Sequence, residues 1–124
     1  MAWVRSRKES KRHRQQNDSV YKRRKNHALR RLLQRYSIVL AKGEYSFLCE
    51  NIKQQRKAVF LDRKTNTATH WAVWYNNQWL MAVYLTGTHQ ITTFLPTNRL
   101  DRYQEQLRQA EQQFELTDQE NTSD

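Results

Sequence analysis

The stretch TATHWAVWYNNQWLMAVYL, residues 67–85, decides how this chain folds. At its centre, Asn76-Asn77 is the clearest turn signal in the sequence. Asparagine tolerates the positive φ that both central positions of a type I′ hairpin turn require. A two-residue turn there pairs Tyr75 with Gln78 and Trp74 with Trp79. Strand alternation then sets His70, Ala72, Trp74, Trp79, Met81 and Val83 on one face, and Trp71, Val73, Leu80, Ala82 and Tyr84 on the other. Both faces are apolar, so the hairpin is expected to be central in its sheet and covered on both sides.

Working outward, four strand-like runs follow one another: Lys57–Asp62, Thr67–Tyr75, Gln78–Leu85 and His89–Leu95. The turn around Gly87 fits a two- or three-residue loop, and Pro96 ends the last strand by removing a ladder donor. Upstream, Asp18 and Ser19 are candidate caps for a helix reaching about Leu40. Its apolar stripe is Leu29, Leu32, Leu33 and Tyr36, so the core-facing part starts late and the turns holding Lys22 and Lys25 stand clear of the core. A shorter helix is expected from Glu44 to Gln55, with Tyr45, Leu48 and Ile52 inward. Downstream, Asn98 is expected to cap a final helix whose stripe is Leu100, Tyr103, Leu107, Ala110 and Phe114. The sequence thus predicts an α+β fold: two N-terminal helices, a four-stranded antiparallel meander sheet and a C-terminal helix. Residues 1–25 read as a basic flexible arm, 26–114 as a single α+β domain and 115–124 as an acidic polar tail.

The charge is distributed unevenly. Of 22 Lys and Arg residues, thirteen precede Tyr36, opposed there only by Glu9 and Asp18. That segment carries +11 of a formal net charge of +10, leaving the remainder slightly negative. Such density repels itself unless a polyanion neutralises it, and nucleic acid or anionic membrane are the usual ones. The arm interleaves its cations with Gln, Asn and Ser, not Leu or Phe, so an amphipathic membrane helix is disfavoured and no membrane partner is expected. No apolar run has the length of a membrane span or a signal-peptide core. Cys49 is the single cysteine, so no internal disulfide forms and a reducing compartment fits; the expected location is cytoplasmic. Trp3 and Tyr21 are the only aromatics before Tyr36, which points to backbone contact without a base code. The nucleic-acid-binding candidates are Arg12, Arg14, Lys22, Arg23, Arg24, Lys25, Arg31, Arg35, Lys53 and Arg56, with RNA ahead of DNA. The acidic final helix is a candidate surface for a protein partner.

Metal chemistry finds little footing. None of His13, His27, His70 and His89 has the spacing of a zinc helix, and between Tyr36 and Pro96 the acids are only Glu44, Glu50 and Asp62. No metal and no cofactor is expected. A metal-free ribonuclease needs less, because RNA supplies its own 2′-hydroxyl nucleophile. The protein adds a proton acceptor, a proton donor and cations around the transition state.

Two motifs bear on this: His27-Ala28-x-x-Arg31-x-x-x-Arg35-Tyr36, and Ile91-Thr92-Thr93-Phe94-Leu95-Pro96. Together they resemble small phage and bacterial proteins that open with a His-bearing basic helix and close on an Ile-x-Thr-x-Leu-Pro strand. The layout is also similar to RelE-type and barnase-like ribonuclease toxins. The likeness covers about His27 to Pro96. It implies His27 as an acid–base group, Arg31 and Arg35 as phosphate ligands and Thr93 as a positioning hydroxyl. Independently, His70 is read either as a packing residue beside Trp74 and Trp79 or as a proton shuttle in an aromatic cleft. Ideal helix geometry sets His27 almost opposite the Leu29/Leu33 stripe, facing away from the core unless a second surface closes over it. The expected function is RNA-directed binding, extending to metal-independent endoribonuclease activity of the toxin type. The alternative is a non-catalytic phage or plasmid accessory protein that binds nucleic acid and a protein partner.

Overall fold

The computed structural model describes residues 2–122, with side chains from residue 19 to residue 114. In chain order the elements are α1 (Ala2–Tyr36), α2 (Glu44–Lys53), β1 (Ala58–Arg63), β2 (Ala68–Tyr75), β3 (Gln78–Leu85), β4 (Gln90–Leu95), a 3₁₀ helix (Thr97–Tyr103) and α3 (Gln104–Thr122). The strands form one antiparallel meander in the order β1-β2-β3-β4. This is the expected α+β architecture. Asn76 and Asn77 adopt φ of 52° and 65°, and Trp74 pairs with Trp79 as that turn requires.

Because the central hairpin is apolar on both sides, the sheet becomes the middle of three layers. On one face Trp71, Val73, Leu80, Ala82 and Tyr84 pack with Ile91 and Phe94 against Ala28 and Leu32 of α1 and against Tyr45, Leu48, Cys49 and Ile52 of α2. On the other, Ala72, Trp79 and Met81 meet Leu100 and Leu107, with Trp74, Tyr103, Ala110 and Phe114 at the margin. Trp74 meets Trp79 edge-to-face at 5.0 Å, and Phe114 closes on both rings. The stripe expected for the final helix is therefore realised, although a 3₁₀ turn delivers its first part.

Several local expectations are corrected. The expected start at Asp18 or Ser19 is not where the first helix begins, since α1 continues through both. It stops at Tyr36, short of Leu40, because Ser37 turns to a φ of 57° after its N–H bonds the Leu33 carbonyl at 3.0 Å. The buried side of α1 is also rotated from the expected stripe. Ala28 and Leu32 are fully buried, Leu29 and Tyr36 flank them, and Leu33 is 51% exposed. The seam starts earlier too: Tyr21 packs edge-on against Tyr45, and the Lys25 ammonium lies 5.5 Å from the same ring. The physical reason is the target. α1 packs along the edge strand β4, and the small Ala28 side chain permits the close approach.

Elsewhere, α2 ends at Lys53, and positive φ at Gln55 and Lys57 delays the first strand to Ala58. The loop after β3 has four residues, Thr86 to His89, because His89 takes a φ of 54° and β4 begins at Gln90. Asn98 does not cap the final helix. It lies inside the 3₁₀ turn that follows Pro96, where the Arg99 N–H bonds the Pro96 carbonyl at 3.1 Å. Two register shifts, at Leu61 in β1 and at Thr92 in β4, mark bulges at which one extra residue bends the strand.

The rotated seam has a direct test in urea unfolding. Leu32→Ala is expected to cost about 2–5 kcal/mol, whereas Leu33→Ala stays within about 0.5 kcal/mol of the parent. Equal losses would restore the Leu29/Leu33 stripe.

Candidate nucleic-acid interface

β4 pairs with β3 on one side only, and an edge strand leaves backbone groups to be satisfied by something else. Here the helices supply the partners. The Tyr45 hydroxyl donates to the Ile91 carbonyl at 2.5 Å, and the Ile91 N–H reaches the Cys49 Sγ at 3.5 Å. Arg35 Nη1 donates to the Phe94 carbonyl at 2.6 Å. The Tyr36 hydroxyl donates to the Leu95 carbonyl at 2.6 Å while accepting the Met81 N–H at 3.0 Å. Met81 and Leu95 are register partners, so this phenol stands inside the β3–β4 ladder where the two strands separate. Farther along, Gln90 Nε2 donates to the Tyr21 carbonyl at 2.7 Å.

These contacts put phenols and a thiol into dry surroundings. Burial pushes the Tyr36 and Tyr45 hydroxyls above the ordinary phenol range. Burial, with Cys49 and Glu50 adding to it, pushes Tyr84 up to about 12. The Cys49 thiol is likewise raised by burial, which marks a packing residue and not a nucleophile.

Between the anchored residues Ile91 and Phe94, the Thr92–Thr93 segment faces α1 across an open cleft of about 460 Å³. The helix wall is Val20, Arg23, Arg24 and His27. Positions three and four apart lie on neighbouring turns of one helix face, so these four side chains belong to one flank of the seam. Thr92 is the bulge residue, and its hydroxyl reaches the Val83 carbonyl at 3.4 Å. Arg24 is half-buried, while Arg23 and His27 are exposed. Two guanidinium groups, an imidazole and the Thr92–Thr93 segment line it together, and among the described residues no carboxylate lines the cleft. That set suits a phosphate.

The expected site residues divide accordingly. His27, Arg23, Arg24 and Thr93 share this cleft, and His27 does meet a second surface, the one β4 provides. Arg31 and Arg35 follow His27 at four-residue steps, but Arg31 is turned to Gln34 Oε1 at 3.1 Å and Arg35 is spent on the Phe94 carbonyl. Lys25 covers Tyr45, and Lys22, Lys53 and Arg56 are exposed outside the cleft lining. The side chains of Arg12 and Arg14 lie outside the described residues. His70 is buried, 7% exposed, and belongs to a separate cleft on the face that α3 covers. Register sets it in a row with Val83 and Thr93, two strands or about 9–10 Å from Thr93. Sequence reasoning missed Val20, Thr92 and the anchoring role of Tyr36. A second threonine beside Thr93 was visible, whereas a bulge leaves no sequence signature of its own. Among the described residues no helix is long and apolar enough to cross a membrane.

Tyr36→Phe removes one hydroxyl from two backbone partners and is expected to cost about 1–3 kcal/mol in urea unfolding; a neutral effect would deny the anchor. Tyr84 sets an alkaline limit. Its folded value, about 12, lies above the ordinary value of about 10. Its contribution is therefore complete below about pH 10 and is lost as pH rises through about 12. Urea midpoints measured across that window should fall less steeply in Tyr84→Phe than in the parent.

No protein-family model, no curated protein and no solved structure matches this chain.

Proposed function

We propose that this protein binds RNA through α1, with the α1–β4 cleft receiving a backbone phosphate. The observation that carries the reading is the meeting of Arg23, Arg24 and His27 with the Thr92–Thr93 segment, in the second half of a helix that holds most of the chain's positive charge. Arginine matches phosphate oxygens with a planar fork of donors, and a cleft flanked by protein strengthens each contact relative to open water. Among the described residues the lining has no aromatic ring to stack a base, so contact with the backbone is favoured over sequence readout.

A second reading, metal-independent RNA cleavage of the toxin type, is supported by His27 sharing that cleft with Thr93, the pair that the resemblance to RelE-type and barnase-like enzymes implies. Cleavage needs a proton acceptor and a proton donor at opposite ends of the reacting phosphate. Among the described residues lining the cleft, His27 is the single imidazole and no carboxylate stands opposite it, so binding stands ahead of turnover. A non-catalytic accessory protein of phage or plasmid origin shares the binding and differs in being indifferent to His27.

Fluorescence anisotropy of a labelled single-stranded RNA across a salt series tests the binding. The logarithm of the affinity should fall linearly with the logarithm of salt, and Arg23→Gln with Arg24→Gln should flatten the slope by about 1.4, about 0.7 for each contact. Unchanged affinity and slope in that double variant would remove the cleft from the interface. Incubation with RNA and excess chelator separates the remaining readings. Cyclic-phosphate ends that His27→Ala abolishes support the enzyme, and intact RNA at micromolar protein eliminates it.

A further inference from the structure

The sheet face turned away from α1 carries a second cleft, of about 410 Å³, bounded by β1, β2 and the 3₁₀ helix. At its base lie His70 and Met81, both buried. The bulge at Leu61 makes Asp62 the cross-strand partner of His70, the kind of re-aiming for which bulges are used beside functional sites. Asp62 is already engaged: Oδ1 accepts the Arg63 N–H at 2.8 Å, and Oδ2 lies 3.5 Å from the Lys64 ammonium. The opposite wall brings Arg99, Asp101 and Arg102. Among the described residues the ion pairs are Lys64–Asp62 and Arg108–Glu105, so neither Arg99 nor Arg102 is matched to a carboxylate. Arg102 lies over the Tyr103 ring at 5.4 Å. The cleft therefore combines two unpaired guanidinium groups with a buried imidazole.

We propose that this cleft is a second, independent anion site that takes a compact phosphate group, held by Arg99 and Arg102 with His70 bonding to it from below. The volume falls within the range of small-ligand pockets, about 300–1,000 Å³, and leaves room for a sugar beside the phosphate. Asp101, exposed at the rim, is the one carboxylate opposing such a ligand without a cation paired to it. The electrostatics of His70 agree with this placement. Burial first, then Lys64, disfavours its proton; Asp62 opposes them, and Arg99 adds to the effect. An anion seated between His70 and these cations would reverse that balance. This site does not depend on the α1–β4 reading, because the two clefts share no lining residue.

His70 reports on its own ligand. Its ring protons are followed by NMR across pH, with inorganic phosphate, with a mononucleotide and with an oligonucleotide ending in a phosphate. The titration midpoint of His70 should rise when phosphate is present. Arg99→Gln, at an exposed position that leaves the core untouched, should weaken binding by at least about tenfold. Asp101→Asn should tighten it, and Arg23→Gln with Arg24→Gln should leave it unchanged. Comparing the three probes tells whether a free ion, a nucleotide or an RNA end is preferred. A His70 midpoint indifferent to millimolar concentrations of all three overturns the site, as does a shift of parental size in Arg99→Gln.

Discussion

The Tyr36 hydroxyl standing between the Met81 N–H and the Leu95 carbonyl is the contact on which the arrangement of this molecule depends. It accepts from one strand and donates to its neighbour at the point where their own ladder parts. A single side chain from α1 thus fixes the helix to the sheet and spares two backbone groups from burial without partners. Arg35 repeats the device one residue away on the Phe94 carbonyl, and Tyr45 with Cys49 repeats it from α2 on Ile91. An unprotected edge strand is a template for association with other chains. Here the helices occupy its hydrogen-bonding groups on both sides of the Thr92 bulge, and the remaining gap is the cleft.

The same packing distributes the charge. With α1 on one face of the sheet and α3 on the other, the basic and acidic elements are held in different layers. The described acids of α3, Glu105 and Glu111, lie in a different layer from the described cations of α1. That separation is in keeping with the proposal of α1 as a phosphate-binding surface. The depth of the hydrophobic layers makes that layout rigid, since Trp71, Trp74 and Trp79 anchor both sides of one hairpin.

Much of the fold was legible because strand periodicity and turn chemistry agree. Asn76-Asn77 fixed one register, that register fixed two apolar faces, and two faces demanded helices on both. The stripe of Leu100, Tyr103, Leu107, Ala110 and Phe114 was readable for the same reason. The rotation of α1 was not, because Leu29 and Leu33 carry more apolar area than Ala28 and periodicity weighs size. It cannot see that a helix lying against an edge strand favours a small residue at the point of closest approach. The site was legible as residue types and not as geometry. His27, Arg23, Arg24 and Thr93 were identified from charge and motif, but their meeting depends on a bulge and on a phenol inserted into a ladder, and neither leaves a pattern in the sequence. His70 was assigned to the correct face of the hairpin, yet its surroundings come from Asp62 and Arg99, far from it in the chain.

The most direct measurement is the perturbation of backbone amide and His ring resonances as a short single-stranded RNA is added at low ionic strength. With an RNA whose ends carry no phosphate, the account predicts that shifts centre on Arg23, Arg24, His27, Thr92 and Thr93 and leave the Trp74–Trp79 side of the sheet unchanged. Shifts confined to the α3 face, or none at saturating RNA, would contradict it.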